Sequence, residues 1–291
     1  MHNQKINLRN VTLCAVDCLN PLLAARVLKK SQEHCLFGDT ILLTDKHVQT
    51  STRIALIPSI NSKEEYSAFI LKHLVEYIST PWVLLIQWDG FITNPSAWTE
   101  EFLSFDYIGA RWPWHFGHLP VGNGGFSLRS KRLLQILASD TRIQPDPAFG
   151  EDELICRTHR PLLEADYGIK FATEQVADQF SVECSLSSEA PFGFHGIFHL
   201  HRFANDSDLQ FLARHAHRRT VTTVDFVALW CRCFEAGRMQ TADALYEALS
   251  RVALPQEFAI ICTYRGIDWT PEQIAERFAI SQARLTKKFA A

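Results

Sequence analysis

Short apolar runs, three of which lead into an acid, recur through the first part of the chain. NVTLCAVD (10–17), DTILLTD (39–45), RIALIPS (53–59) and WVLLIQWDG (82–90) each have the length and composition of a strand. The last is apolar on both faces, which predicts a central place in a parallel sheet. Helical spacing fills the gaps. Asn20-Pro21 opens a helix, with asparagine as cap and proline in the first turn, that runs to Cys35 and stops at Gly38. Ser62-Lys63-Glu64-Glu65 has capping-box spacing, and Tyr66, Ile70, Leu74 and Tyr77 continue it as far as Pro81. Strands alternating with helices predict an α/β fold with a mostly parallel central sheet and flanking helices. Such sheets bind ligands at the carboxyl ends of their strands, where Asp17, Asp45 and Asp89 all fall.

The pattern then changes. YIGARWPWHFGHLPVGNGG (107–125) holds two tryptophans, two histidines, two prolines and five glycines, which predicts a long loop feeding the strand FSLRS. Its aromatic content argues against disorder, so a functional loop is expected, a lid over residues 111–124. Ser130 caps a helix to Ser139, GEDELIC (150–156) opens another, and FATEQVADQFSVE (171–183) returns toward strand. From His215 onward everything reads as helix. Residues 225–255 resemble one tetratricopeptide-like pair turning at Gly237, and residues 269–289 a helix-turn-helix. The expected division is therefore a domain at 1–214 and a small helical domain at 215–291.

Composition narrows the class. The chain has 291 residues, 47% hydrophobic and 21% charged, as in ordinary globular domains. A net charge of −3 offers no global field for a nucleic-acid backbone. The eight cysteines form no pair of CxxC motifs, which argues against a zinc site and suits reduced thiols in a cytoplasmic protein. The polar start MHNQKINLRN does not have the form of a signal peptide, and no apolar run is long enough to span a bilayer.

Several residues could carry chemistry. Asp89, at the end of the strongest strand and followed by Gly90, is either a turn residue or a ligand for a divalent cation on a phosphate. GNGG (122–125) is either a tight turn or a place where backbone amides approach a ligand, with Asn123 suited to hydroxyls. Glu151-Asp152 could supply a general base, or simply complement a helix dipole. His195 in GFHG is a candidate metal ligand or a structural histidine. Trp112 and Trp114 could stack on a sugar or pack in the core.

In this order the motifs QWD, DYIGARW, GNGGFSLR, GED and FGFHG resemble a GT-A-type glycosyltransferase over residues 10–203. They resemble most an uncharacterised bacterial and fungal group, and are similar in order to the Fringe-like inverting galactosyl- and N-acetylglucosaminyltransferases. The resemblance implies a nucleotide-sugar donor, a UDP-sugar favoured, and a hydroxyl-bearing acceptor such as a glycan. It places Asp89 at the last acid of a DxD motif, makes Asp152 the base with Glu151 beside it, and makes His195 a metal ligand with Asp89. The implied donor site is Val16, Asp17, Thr44, Asp45, Gln87, Trp88, Asp89, Arg111 and Arg129. The implied acceptor and sugar site is Trp112, Trp114, Asn123, Gly124 and Gly125. Gln87 departs from the pattern: it stands at the first acid of DxD and brings no charge to Mn²⁺ or Mg²⁺, so Arg111, His118 or Arg129 could share the diphosphate charge. Two other functions compete. One is a degenerate module that binds a glycan or partner without catalysis, which Gln87 favours. The other is a transferase on modified nucleic acid that uses residues 269–291, which the net charge disfavours.

Overall fold

The computed structural model describes residues 5–113, 119–184, 190–252 and 270–290. They form two compact units, Met1–Gly196 and Ile197–Ala291. The first is mixed α/β. Its strands are β1 (Ile6–Val16), β2 (Cys35–Thr44), β3 (Arg53–Leu56), β4 (Trp82–Ile86), β5 (Phe91–Ile92), β6 (Tyr107–Ile108), β7 (Phe126–Ser130), β8 (Ser181–Val182) and β9 (Gly193–Phe194). The central six-stranded sheet runs β3-β2-β1-β4-β7-β6. β1 pairs in parallel with β2 and β4, and β2 with β3. β7 is antiparallel to both its neighbours. A small sheet, β5-β9-β8, lies apart.

The helices follow from local chemistry. α1 (Pro21–Gln32) starts at a proline, and the Asp17 carboxylate accepts from the backbone N–H of Leu19 at 2.8 Å and of Asn20 at 2.6 Å. The acid, rather than Asn20 alone, thus organises the turn into α1. α2 (Lys63–Lys72) is capped by Ser62, whose hydroxyl accepts from Glu65 N at 3.1 Å. It ends earlier than the apolar spacing predicts and passes into a 3₁₀ turn, Leu74–Tyr77. α3 (Lys131–Ser139) is capped by Ser130 as expected. Alternate residues of the strands, among them Cys14, Ile41, Val83 and Leu85, join Phe69, Ile70, Leu133 and Leu137 of α2 and α3 in one core. α1 packs against β1 and β2.

Three expectations need correction. Gly38 does not stop a helix; it lies inside β2, beside a register shift in β1 between Leu8 and Thr12. Residues 174–180 form a helix rather than a strand, because Thr173 caps it and Val176, Ala177 and Phe180 bury one face. Pro271–Ala290 is one unbroken helix rather than a helix-turn-helix. No glycine interrupts it, and Ile274, Phe278, Ser281 and Leu285 bury a single stripe.

The second unit is helical throughout. Asp206–His215, Val224–Glu235 and Met239–Ser250 are its longer helices before residue 253. Asp206–His215 packs against Met239–Ser250, so this unit begins earlier in the chain than the 214/215 division expected. Gly237, at φ +68°, makes the turn of the helix pair, and Trp230, Tyr246 and Phe278 form its aromatic centre. Among the described residues no helix is long and apolar enough to cross a membrane.

A side chain at residue 38 has no room, since an added Cβ would lie 2.1 Å from the Arg9 carbonyl oxygen. Gly38→Ala is expected to cost about 1–3 kcal/mol by overpacking and to lower the melting temperature by several degrees. An unchanged melting curve would show that the backbone of β1 at Arg9 yields freely.

Candidate active site

Parallel β1, β2 and β4 bring Val16, Asp17, Thr44, Asp45, Gln87, Trp88 and Asp89 to one edge of the sheet, at or just past their carboxyl ends. β7 runs the other way, with Phe126 opposite Ile86, so the loop that precedes it arrives at this same edge. GNGG is thereby laid beside the end of β4, and Gln87 N donates to Gly125 O at 2.8 Å.

The glycines are forced by their neighbours. A Cβ on Gly125 would lie 2.1 Å from His195 Nε2, and one on Gly124 would lie 2.1 Å from Glu151 Oε1. The loop is thus wedged between the histidine on one side and the Glu151-Asp152 turn on the other. Asn123 takes a left-handed φ of 48° in the same turn, and Tyr107 Oη donates to its carbonyl at 3.3 Å.

His195 is delivered by the aromatic cluster beneath it. Phe192 and Phe194 are fully buried, and Phe194 meets Phe91 edge-on at 4.8 Å. Gly193 lets Phe126 close in, for a Cβ there would lie 2.2 Å from the Phe126 ring. The imidazole then has carboxylates on both sides. Nδ1 lies 2.9 Å from Glu183 Oε1, and Nε2 lies 3.3 Å from Asp89 Oδ1 and 3.2 Å from Gln87 Oε1. Burial opposes the imidazolium, but Asp89 and Glu183 together raise the pKa of His195 well above its usual value. Sequence reasoning missed Glu183, since no motif marks it and only the β8–β9 pairing brings it to His195.

Glu151 and Asp152 differ completely. Glu151 is buried and takes a bidentate hydrogen bond from Arg129, 2.9 Å on each arm, with Arg129 wholly enclosed. Burial pushes the Glu151 pKa up against the pull of Arg129, and Glu151 in turn raises the Arg129 pKa against burial. Asp152 keeps partial exposure. Its Oδ2 accepts from Gly124 N at 2.9 Å and its Oδ1 from Glu153 N at 2.9 Å.

Other expected site residues lie elsewhere or are engaged. Arg129 is sealed beneath the loop with Glu151, out of reach of a donor, because the pair is a core element. Arg111 is held by Asp178 at 3.0 Å and Glu174 at 3.1 Å. Trp112 is a core residue, with its ring over Gly122, where a Cβ would lie 2.1 Å away. Trp112 N donates to Pro120 O at 2.7 Å and Arg111 bridges Val121, so the flanks of the expected lid are anchored. Trp114, His118 and the rest of the lid's tip, 114–118, lie outside the described residues.

Does this site suit a divalent cation? Among the described residues no group of three or more His, Cys, Asp or Glu side chains is arranged to hold a metal ion. Three donors converge only when the Gln87 amide is counted. Their separations from Nε2, 3.2 and 3.3 Å, match the roughly 3 Å between adjacent ligands of an octahedral ion with bonds of about 2.1 Å. Asp89 Oδ1 is buried, with the His195 imidazole at 3.3 Å as its charged neighbour. The donor chemistry of Asp89, Gln87 and His195 therefore fits Mn²⁺ or Mg²⁺.

Comparison with known proteins places residues 51–195 in match with a family described as a protein of unknown function, DUF5672. No curated protein matches the chain. Solved structures similar to it include glucosyl-3-phosphoglycerate synthase from Mycobacterium tuberculosis in complex with Mn²⁺, UDP and glucosyl-3-phosphoglycerate. That likeness is 12% identical, covers 42% of this chain and 56% of that one, and has a TM-score of 0.31. A glycosyltransferase involved in glycosylation of the major capsid of PBCV-1 is 13% identical, with 64% and 91% covered and a TM-score of 0.37. The apo-form glycosyltransferase GlyE of Streptococcus pneumoniae TIGR4 is 12% identical, with 66% and 54% covered and a TM-score of 0.37. The chain thus spans little more than half the length of two of these three proteins.

The two acids of GED are expected to separate in a stability measurement. Glu151→Gln leaves the Arg129 charge buried without its counter-ion, at a cost of roughly 3–5 kcal/mol, whereas Asp152→Asn leaves stability within about 1 kcal/mol. Urea denaturation of the two variants checks this, and equal midpoints would remove the structural role given to Glu151.

Asp17 should make stability depend on pH. Burial, with Asp89 adding to it, raises its pKa from 3.8 to about 6, although two backbone amides oppose the shift. The folded state therefore holds the proton more tightly than the unfolded state. Stability falls as pH rises from about 4 to about 6, and the full cost remains above that. A change of that size corresponds to roughly 3 kcal/mol, and partial exposure reduces this to about 1–2 kcal/mol. Asp17→Asn is expected to stabilise the protein by that amount at pH 7.5 and to have little effect at pH 4, as read from denaturation midpoints. A gain of equal size at both pH values would exclude titration as the cause.

Proposed function

We propose that this protein transfers a sugar from a nucleotide-sugar donor to an acceptor hydroxyl, with inversion at the sugar carbon. The observation that carries this reading is the placement of Asp152. It is a partly exposed carboxylate, oriented by the Gly124 and Glu153 amides, across the glycine loop from Gln87, Asp89 and His195. That arrangement leaves a leaving-group side and an acceptor side with only backbone between them.

The donor's nucleoside lies along Val16, Asp17, Thr44 and Asp45. Buried Thr44 Oγ1 and Asp45 Oδ1 have no hydrogen-bond partner within the chain and suit a polar ligand there. A UDP-sugar is the first donor to test. A divalent cation held by Asp89, His195 and the Gln87 amide would neutralise the charge that develops on the departing diphosphate. Asp152 takes the proton from the acceptor hydroxyl as its oxygen attacks the anomeric carbon. The bond from that carbon to the diphosphate oxygen breaks on the opposite face, and the electron pair leaves with the diphosphate. Asn123, Gly124 and Gly125 border the sugar between the two sides. Arg129 and Glu151 act only by holding this loop and Asp152 in place.

The second reading, a non-catalytic glycan- or partner-binding module, draws on Gln87, which brings no charge to a cation. Action on nucleic acid through residues 269–291 has less support, because Arg284 is tied to Asp243 at 2.8 Å.

In a screen of nucleotide sugars with and without Mn²⁺, a true donor should raise the melting temperature and be turned over. Asp152→Asn should still bind that donor while turnover falls by about 10²–10⁴-fold. Normal turnover in Asp152→Asn would remove the proposed base, and donor binding without turnover in the unaltered protein would favour the binding module.

A further inference from the structure

The two ring nitrogens of His195 face different surroundings. Nε2 faces the Asp89 and Gln87 oxygens, and Nδ1 faces Glu183. Glu183 cannot join Asp89 on a common ion, since it contacts the opposite nitrogen of the ring at 2.9 Å. Its position is built into the small sheet. β8 runs parallel to β9 with Val182 beside Phe194, and His195 N donates to Val182 O at 3.0 Å, so the next residue of each strand meets its counterpart. Both side chains are 14% exposed, which limits competition from bulk water. Asn123 completes this side. Its Nδ2 lies 3.2 Å from Nδ1 while its own Oδ1 is buried and accepts no hydrogen bond. The two ends of an amide are nearly equal in shape, and turning this one over would put its oxygen against Nδ1–H. In that orientation Asn123 would join Glu183 as a second acceptor for Nδ1–H; Glu183 Oε1 is the acceptor already in place, at 2.9 Å.

We infer that Glu183 is the positioning residue for His195: it accepts the Nδ1 proton and so turns Nε2 toward Asp89 Oδ1 and Gln87 Oε1, where a bound cation takes the place of the Nε2 proton. This rests on the cation reading given above. A carboxylate behind a metal-ligating imidazole fixes the tautomer and ring orientation and raises the basicity of the other nitrogen. That contribution matters here because Gln87 is neutral. Glu183 supplies, one bond network away, negative charge that the coordinating set lacks.

The experiment uses the full chain and Mn²⁺ alone, without donor. Free Mn²⁺ is followed by electron paramagnetic resonance for the unaltered protein, Glu183→Ala, Glu183→Gln and His195→Ala, each checked for folding by circular dichroism. Glu183→Ala is expected to bind Mn²⁺ about 10–100-fold more weakly. Glu183→Gln should lose less, because its amide oxygen can still accept the Nδ1 proton. In Mg²⁺-loaded protein the ¹⁵N spectrum of His195 should place the proton on Nδ1, and Glu183→Ala should lose that single tautomer. Unaltered Mn²⁺ affinity and an unaltered imidazole spectrum in both Glu183 variants would overturn the inference and leave the cation reading standing. No Mn²⁺ binding by the unaltered protein would overturn the cation reading and the inference with it. Should Glu183→Ala fail to fold, Glu183→Leu, which fills the space but accepts no proton, carries the same test, with equal affinity and spectrum counting against the inference.

Discussion

The buried ion pair between Arg129 and Glu151 is the constraint on which the site depends. Two charges removed from water are tolerable only when each satisfies the other, and here both arms of the guanidinium reach both carboxylate oxygens at 2.9 Å. Ser127 Oγ accepts from Arg129 Nε and donates to Gly124 O, so the same network grips the glycine loop from below. Tyr107 stacks beneath the guanidinium, 5.0 Å from ring to carbon, and its hydroxyl donates to the Asn123 carbonyl. One arginine on β7 thereby ties together the strand, the loop before it and the first turn of the GED helix. Asp152 takes its place because the residue before it is locked.

Topology does the remaining positioning. Had β7 run parallel to β4, its leading loop would lie at the far edge of the sheet, away from Gln87 and Asp89. The reversed strand instead aligns the start of β7 with the end of β4. The small sheet repeats the device on the other side, since β5 pairs antiparallel with β9 and sets Gly90 under the Phe194 carbonyl. Aromatic packing of Phe91, Phe126, Phe192 and Phe194 supplies the cohesion. His195 therefore hangs from a rigid cluster rather than from a free loop.

Much of this was legible in the residues. The strands of the parallel half announce themselves as apolar runs, those of β1, β2 and β4 leading into acids, and Ser62 and Ser130 mark their helices. The convergence of Gln87, Asp89, the GNGG loop, Asp152 and His195 matches the order of the motifs. What was not legible depends on long-range pairing. Nothing local says that Arg129 faces Glu151 rather than a ligand, because an arginine in a strand can point to either side. For Trp112 the residues leave sugar stacking and core packing both open, and Gly122 decides it by leaving the ring a slot in the core. Residues 174–180 carry valine and phenylalanine, which suit strands, yet Thr173 starts a helix and the turn period wins. Glu183 has no local mark at all and acquires meaning only beside His195.

Gln87 bears on the charge balance of the whole edge. Asp17 and Asp89 already repel one another across neighbouring strand ends, which contributes to the raised pKa of Asp17. A further carboxylate at residue 87 would add to that repulsion whenever no cation is present. The neutral amide avoids that repulsion but would weaken the hold on the proposed dication. On the proposed reading, Glu183 restores part of that hold from behind the imidazole, where its charge is separated from Asp89 by the ring. On that reading the site would bind its ion more weakly than a pair of strand-end acids, and the phosphate oxygens of the donor would supply the missing negative ligands. Ion and donor are therefore expected to bind cooperatively, each completing the other's coordination.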